Sequence, residues 1–152
     1  MWNQLQACKN LGIQYRVTEL DRPTTLGASN LAGRFIHIKP GYEKDKRVWI
    51  HEIAHTLLHF GRFEVAAGLG DEYENAKAEL EADSVAYMTC KVLGIEDRQD
   101  YLSYVKMFMS RIPVLEQSGN ILDKRMPELV NLVKLILNAG GYYGTVRNEN
   151  SK

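Results

Sequence analysis

Residues 48–58 read Val-Trp-Ile-His-Glu-Ile-Ala-His-Thr-Leu-Leu, and at their centre His51-Glu52-Ile53-Ala54-His55 spells H-E-x-x-H. On a helix, His51 and His55 stand four residues apart, so both imidazoles project from one face about one turn apart. That spacing lets two neutral ring nitrogens reach a single zinc ion at roughly 2.0–2.1 Å. Glu52 lies beside the pair, where a carboxylate can serve as base toward a metal-activated water. Ile50, Ile53, Ala54 and Leu57 give the same segment a separate apolar face. The pattern predicts a helix from about Asp45 to Phe60, stopped by Gly61.

A surface helix can carry two histidines and a glutamate by coincidence. Against that, the chain has 4 histidines, and His51, His55 and His59 fall together in one short stretch. The 152 residues suit one domain, expected over 1–140 with 141–152 as a flexible tail. Hydrophobic content of 45% and charged content of 25% are those of a globular protein, and Lys+Arg 19 balance Asp+Glu 19. A neutral chain is a poor match for a phosphate-binding surface, so nucleic acid is not expected as the main partner. Cys8 and Cys90 fit no metal or redox spacing and read as buried thiols of a reducing compartment. The first residues form no signal peptide, and no run of about 18 apolar residues spans a membrane. A cytoplasmic location is the expectation.

Residues 2–11 read as a short helix closed by Gly12. Ile13, Tyr15 and Val17 alternate with polar residues, which predicts a half-buried strand from Ile13 to Leu20. Thr24–Ser29 reads as a second strand. Residues 30–33 form a turn into a third, Arg34–Lys39, ended by Pro40-Gly41 and expected to be the sheet edge beside a cleft. Residues 61–75 read as a loop with room for one helical turn. A strong helix follows over about Asn75–Leu93, with Ala78, Ala82, Val85, Ala86, Thr89, Val92 and Leu93 as its apolar stripe. Further helices are predicted at about 98–111 and 121–138, the last kinked or begun at Pro127.

Catalytic zinc takes three protein ligands plus water, so two histidines are not enough. The 75–93 helix offers Glu79, Glu81 and Asp83. Glu79 and Asp83 share one edge of its stripe, whereas Glu81 flanks the other. Carboxylates there can be plain helix decoration, or one can bind metal while another orients a ligand histidine.

The combination of His51-Glu52-Ile53-Ala54-His55-Thr56-Leu57-Leu58-His59 with Glu79-Leu80-Glu81-Ala82-Asp83-Ser84-Val85-Ala86 resembles the ImmA/IrrE family of zinc metallopeptidases, which are of gluzincin type. The E-x-x-A-[ND] element after the H-E-x-x-H helix carries the match, and the likeness covers roughly residues 13–95. It implies an α+β, zincin-like fold: a short N-terminal antiparallel sheet of about three strands, packed on the H-E-x-x-H helix and followed by a helical C-terminal half. By position it implies that His51, His55 and Glu79 ligate zinc, that Glu52 is the catalytic base, and that Asp83 hydrogen-bonds a ligand histidine. It also implies hydrolysis of a peptide bond in a specific protein substrate, such as a helix-turn-helix transcriptional repressor of a mobile element or stress response.

The stretch 81–95 also looks like the peptidase-like part of ArdC-type antirestriction proteins. Those carry a separate region for single-stranded DNA that no segment here is long enough to supply. The metzincin pattern H-E-x-x-H-x-x-G-x-x-H fails, because Leu58 and Arg62 stand where the glycine and third histidine belong. His59 lies eight residues past His51, roughly 12 Å along a helix, too far to share the ion, and is expected to line the cleft or sit behind the ligands. His37 reads as an ordinary strand residue. The donor to a developing oxyanion stays open among Tyr87, Tyr73, His59, Tyr142 and Tyr143. Two rival readings stand beside the peptidase: a non-catalytic, metal-stabilised binding or sensor module, and a phage or plasmid antirestriction-type protein.

Overall fold

The computed structural model describes residues 1–22, 25–30, 33–59, 72–96 and 120–142. Among these residues the chain is α+β, with four helices and one three-stranded sheet. Helix α1 spans Gln4–Leu11, with strands β1 at Gln14–Val17, β2 at Gly27–Asn30 and β3 at Phe35–Ile38. Helices α2, Lys46–His59, α3, Glu72–Leu93, and α4, Asn120–Ala139, complete it. The predicted helix at 98–111 and the tail beyond Tyr142 lie outside the described residues, as does the expected stop at Gly61.

Local signals account for the helix ends. The side chain of Asn3 accepts the Gln6 N–H at 2.9 Å to open α1, and Gly12, at φ 67°, closes it. Asp45 opens α2: its carboxylate accepts the Arg47 N–H at 3.2 Å and its carbonyl the Val48 N–H at 3.1 Å. Gly94 closes α3 at φ 70°, with Ile95 N–H donating to the Cys90 carbonyl at 2.9 Å. Helix α3 begins at Glu72, three residues before the sequence-based boundary. Pro127 sits inside α4 on an exposed side rather than starting it. Its missing N–H removes one turn of the ladder where water can reach the freed carbonyl.

The sheet departs from the antiparallel expectation. Its order is β1-β3-β2, with β1 parallel to β3 and β2 antiparallel to it. Ile36 and Ile38 of β3 are both fully buried, so this strand takes the centre, where α2 covers it. The tight connection from β2 makes a hairpin with β3, Arg34 adopting φ 47° at the turn. The longer segment 18–26 has room to cross the two strand spacings, about 4.8 Å each, that separate β1 from β2. Strand β3 is therefore not the edge beside a cleft; β2 is.

Strand β1 is shorter than predicted and is not half-buried. Ile13 is buried, but Tyr15 and Val17 are 43% and 39% exposed, because β1 is itself an edge strand. Tyr15 meets the edge of Trp49 at 5.2 Å and buries no further.

Helix α2 packs against both the sheet and α3, and α4 packs on α3 and α1 and also touches α2. Trp49, Ile50, Ile53 and Ala54 from α2 join Ala82, Val85 and Ala86 from α3 in one core. Helix α4 adds Leu129, Val133, Ile136 and Leu137, the i, i+4, i+7, i+8 stripe of an amphipathic helix. Val92, expected in the stripe of α3, is 47% exposed near the helix end, while Leu80 and Cys90 are buried instead. Ser84 and Thr89 satisfy their buried hydroxyls on the carbonyls of Leu80 and Val85, both at 2.7 Å. Cys8 and Cys90 form no disulfide and are buried, and burial pushes the Cys8 thiol up to about 12. No helix among the described residues is long and apolar enough to cross a membrane.

The N-terminus is tied to the end of α4. Trp2 Nε1 donates to the Ile136 carbonyl at 2.9 Å, the Asn3 N–H to Gly140 at 2.9 Å, and Asn10 to Ala139 at 2.8 Å. Gly141 and Tyr142 belong to this cap and not to a loose tail, with Tyr142 N–H on the Leu137 carbonyl at 2.9 Å and its ring against the core. A Cβ on Gly140 would fall 2.1 Å from Trp2 Nε1. Gly140→Ala is accordingly expected to cost about 1–3 kcal/mol in urea unfolding. Gly33→Ala, where a Cβ meets nothing within 4 Å, should stay within about 0.5 kcal/mol of the parent.

Candidate metal centre and its cleft

Because α2 spends Trp49, Ile50, Ile53 and Ala54 on the core, its histidines fall on the side that faces α3. His51 and His55 rings stand edge to face at 4.7 Å, and His55 and His59 tilt together at 5.2 Å. Across from them, Glu79 of α3 brings Oε2 to 3.2 Å from His51 Nε2 and Oε1 to 3.0 Å from His55 Nε2. One ligand atom from each of His51, His55 and Glu79 lies within 4.8 Å of the others. The two contacts use different oxygens of the Glu79 carboxylate, so each imidazole faces its own oxygen. The described residues thus bring together two imidazoles and one carboxylate, a group that could hold a metal ion.

Asp83, one turn along α3 from Glu79, sets Oδ1 2.9 Å from His51 Nδ1. The contact is an ion pair when the His51 ring is protonated. Arg47 Nη2 reaches the same Asp83 oxygen at 3.4 Å. Burial disfavours charge on His51, but the contacts with Asp83 and Glu79, with Glu52 nearby, outweigh it and raise its pKa to about 10. Burial likewise opposes charge on Glu79, and the His55 and His51 imidazoles overcome it, holding the carboxyl well below its usual range. The Glu79 side chain remains 41% exposed, so water screens part of that pull.

His59 does not line the cleft. It is fully buried, with Nδ1 3.1 Å from His55 Nδ1 and Nε2 3.6 Å from Glu81 Oε2. Glu81 is itself 2% exposed and bonded by Arg125 at 3.0 Å, so it is neither surface decoration nor a competing metal ligand. Burial resists its charge, yet His59 and Arg125 together lower its pKa.

Glu52 turns to the other side of α2, toward the sheet. It is 7% exposed, and the Ser29 hydroxyl hydrogen-bonds its carboxylate and sits 3.1 Å from its backbone carbonyl. Gly27, two residues before Ser29 and so on the same face of β2, leaves room for it. A Cβ there would lie 2.8 Å from Glu52 Cγ and 2.9 Å from a Val48 methyl. Glu52, His55 and Glu79 line a cavity of about 580 Å³ together with Gly27, Ala28 and Ser29 of β2. Leu20, Asp21, Arg22 and Thr25 supply the rest of its wall.

Of the predicted oxyanion donors, His59 is shut behind His55, Tyr142 packs at the far end of α4, and neither they nor Tyr87 line this cavity. Nothing is described of the Tyr73 side chain or of Tyr143. Arg22 is the one cation among the described residues of the wall. His37 is a half-buried residue of β3 stacked obliquely on Phe35 at 4.8 Å, away from the cavity. Ser29 and Gly27 escaped sequence reasoning. Their signal is faint: two small residues at alternate positions of a strand, where a neighbour must come close.

Gly27→Ala should push Glu52 aside while sparing the histidines. The expected outcome is bound zinc equal to that of the parent, with any hydrolytic turnover down by about 10²-fold. Zinc analysis and steady-state rates on the same preparation check it.

No family model, curated protein or solved structure matches the chain, so its functional reading rests on this arrangement of side chains.

Proposed function

We propose that the chain is a zinc-dependent peptidase that hydrolyses a peptide bond in a specific protein substrate. One observation carries the reading: donor atoms of His51, His55 and Glu79 converge within 4.8 Å beside a cleft that also holds the Glu52 carboxylate. Two imidazoles and a carboxylate are the donor set of His₂Glu catalytic sites, where a fourth position stays open. A zinc ion held there supplies Lewis-acid polarisation and makes water a nucleophile near neutral pH.

The protein's own groups do the rest. Glu52 takes the proton of the attacking water and returns it to the departing amine, so one carboxylate serves as base and then acid. Ser29 keeps that carboxylate turned toward the cleft, and His55 and Glu79 fix the floor against which the scissile carbonyl lies. Strand β2 is the sheet edge on this cavity, which suits an extended peptide paired along it. Arg22 faces the same space and is the candidate to hold an acidic substrate side chain or the carbonyl oxygen. A helix-turn-helix transcriptional repressor as substrate follows from the family resemblance alone.

The test pairs metal analysis with a cleavage screen of candidate repressors, using the full chain and Glu52→Gln. About one zinc per chain is expected in both. Cleavage should fall on the order of 10²–10⁴-fold in the variant. Undiminished turnover by folded Glu52→Gln would overturn the assignment of the base. Zinc binding with tight, stoichiometric capture of a partner and no cleavage would instead favour the metal-stabilised binding module.

A further inference from the structure

Behind His55 runs a buried line of polar side chains that hydrolysis itself does not use. His55 Nδ1 and His59 Nδ1 are 3.1 Å apart, and His59 Nε2 faces Glu81 Oε2 at 3.6 Å. Arg125 of α4 reaches the same Glu81 oxygen at 3.0 Å and also bonds Glu128, one turn further on. His59 and Glu81 are 0% and 2% exposed, whereas the Arg125 side chain is 31% exposed. The line therefore starts at a candidate ligand in the cleft and ends at the surface of another helix.

Stability does not explain it. Burying a histidine and a carboxylate costs desolvation, and apolar side chains of similar volume do as well or better in such a place. Proton bookkeeping does give it a purpose. For His55 to offer the Nε2 lone pair to a cation, its ring proton must sit on Nδ1. Two Nδ1 atoms at hydrogen-bond distance share one hydrogen, so His59 Nδ1 must accept and the His59 proton must sit on Nε2. That nitrogen is the one facing Glu81, whose anionic form Arg125 holds. At 3.6 Å that contact is longer than a hydrogen bond, so Glu81 acts on His59 Nε2 by its charge. The arrangement with the His55 proton on Nδ1 turns the His55 lone pair toward Glu79 and the site.

We infer that Glu81 and Arg125, acting through His59, are positioning residues that hold His55 in its metal-binding tautomer and orientation. The inference rests on the zinc site proposed above. It gives His55 a counterpart of the contact that Asp83 and Arg47 make with His51: an acid of α3, steadied by an arginine from another helix.

The experiment measures zinc affinity of the full chain by chelator competition, and the visible spectrum of the cobalt-substituted protein. The proteins are the parent, Glu81→Gln, Arg125→Ala, Arg125→Lys, His59→Phe and His59→Phe/Glu81→Gln. Glu81→Gln should weaken zinc binding about 10–100-fold and shift the cobalt bands. Arg125→Ala should give a smaller loss in the same direction, and Arg125→Lys should recover most of it. With His59 replaced, Glu81→Gln should add little, because the coupling runs through that ring. Parent-like affinity and an unchanged cobalt spectrum in Glu81→Gln and Arg125→Ala would overturn the inference while leaving the zinc site standing. Equal losses from Glu81→Gln with and without His59 would also overturn it. A parent chain that takes up neither metal would remove the zinc site itself, and the inference with it. Arg125 is partly exposed, so its variants should fold even if changes at buried Glu81 do not.

Discussion

Everything at the cleft depends on one packing decision, the laying of α3 along the histidine face of α2. Helix α2 is amphipathic in an unusual sense, since its second face is not solvated but covered. His55 and His59 are buried on it, and Glu81 and Asp83 are buried on the helix that covers it. Charges and imidazoles in such a seam are tolerable only if each meets a partner of opposite character. The seam therefore has two components that must agree: apolar contacts from Ile53, Ala54, Ala82, Val85 and Ala86, and a polar register in which Glu79 meets His51 and His55 while Asp83 meets His51. A slip of α3 by one turn would keep much of the first and destroy the second. Buried ion pairs of this kind add little net stability but penalise every other register.

The sheet makes the complementary decision for Glu52. Consecutive residues His51 and Glu52 diverge by about 100° around the helix, so one side chain meets α3 and the other meets β2. That divergence separates the candidate ligands from the candidate base across a single open space. It also explains why β2 carries Gly27 and Ser29 where it passes α2: a larger side chain at position 27 would occupy the volume of the carboxylate, and the hydroxyl at 29 meets that carboxylate's need for a donor. The edge strand β2 and the Glu52 carboxylate share a wall of the cavity for that reason.

What the sequence alone made legible follows the range of the physical signal. Helix-period patterns and end signals act within a few positions, so α1, α2 and the body of α3 could be read from their apolar spacing, Gly12 and Asp45 with small errors at the ends. The contacts of Glu79 and Asp83 with the histidines were anticipated because spacing on each helix is local and the family resemblance supplied the pairing. Sheet order was not legible. Strands of four residues carry little periodicity, and the centre went to β3 through the burial of Ile36 and Ile38, which only tertiary packing decides. The same limit hid Glu81. On a helical wheel it lies off the edge shared by Glu79 and Asp83, and its partner Arg125 comes from α4, a helix about 40 residues downstream that no local pattern connects to it.

That long-range contact changes how the helical C-terminal part is understood. Leu129, Val133 and Ile136 would suffice to pack α4 on the core, and such packing asks nothing of the helix's first half. Yet it is from that half, ahead of the apolar stripe, that Arg125 reaches Glu81, the one buried carboxylate among the described side chains of α3 that touches no candidate ligand directly. An apolar residue at 81 would have let α4 slide or rotate at small cost, whereas a buried anion with one cationic partner defines where the helix must stop. The same anion, through His59, stands next to His55. Placement of α4 and placement of the imidazole thus become a single problem, and a disturbance of α4 transmits to the cleft through three side chains, not through the backbone of the intervening chain.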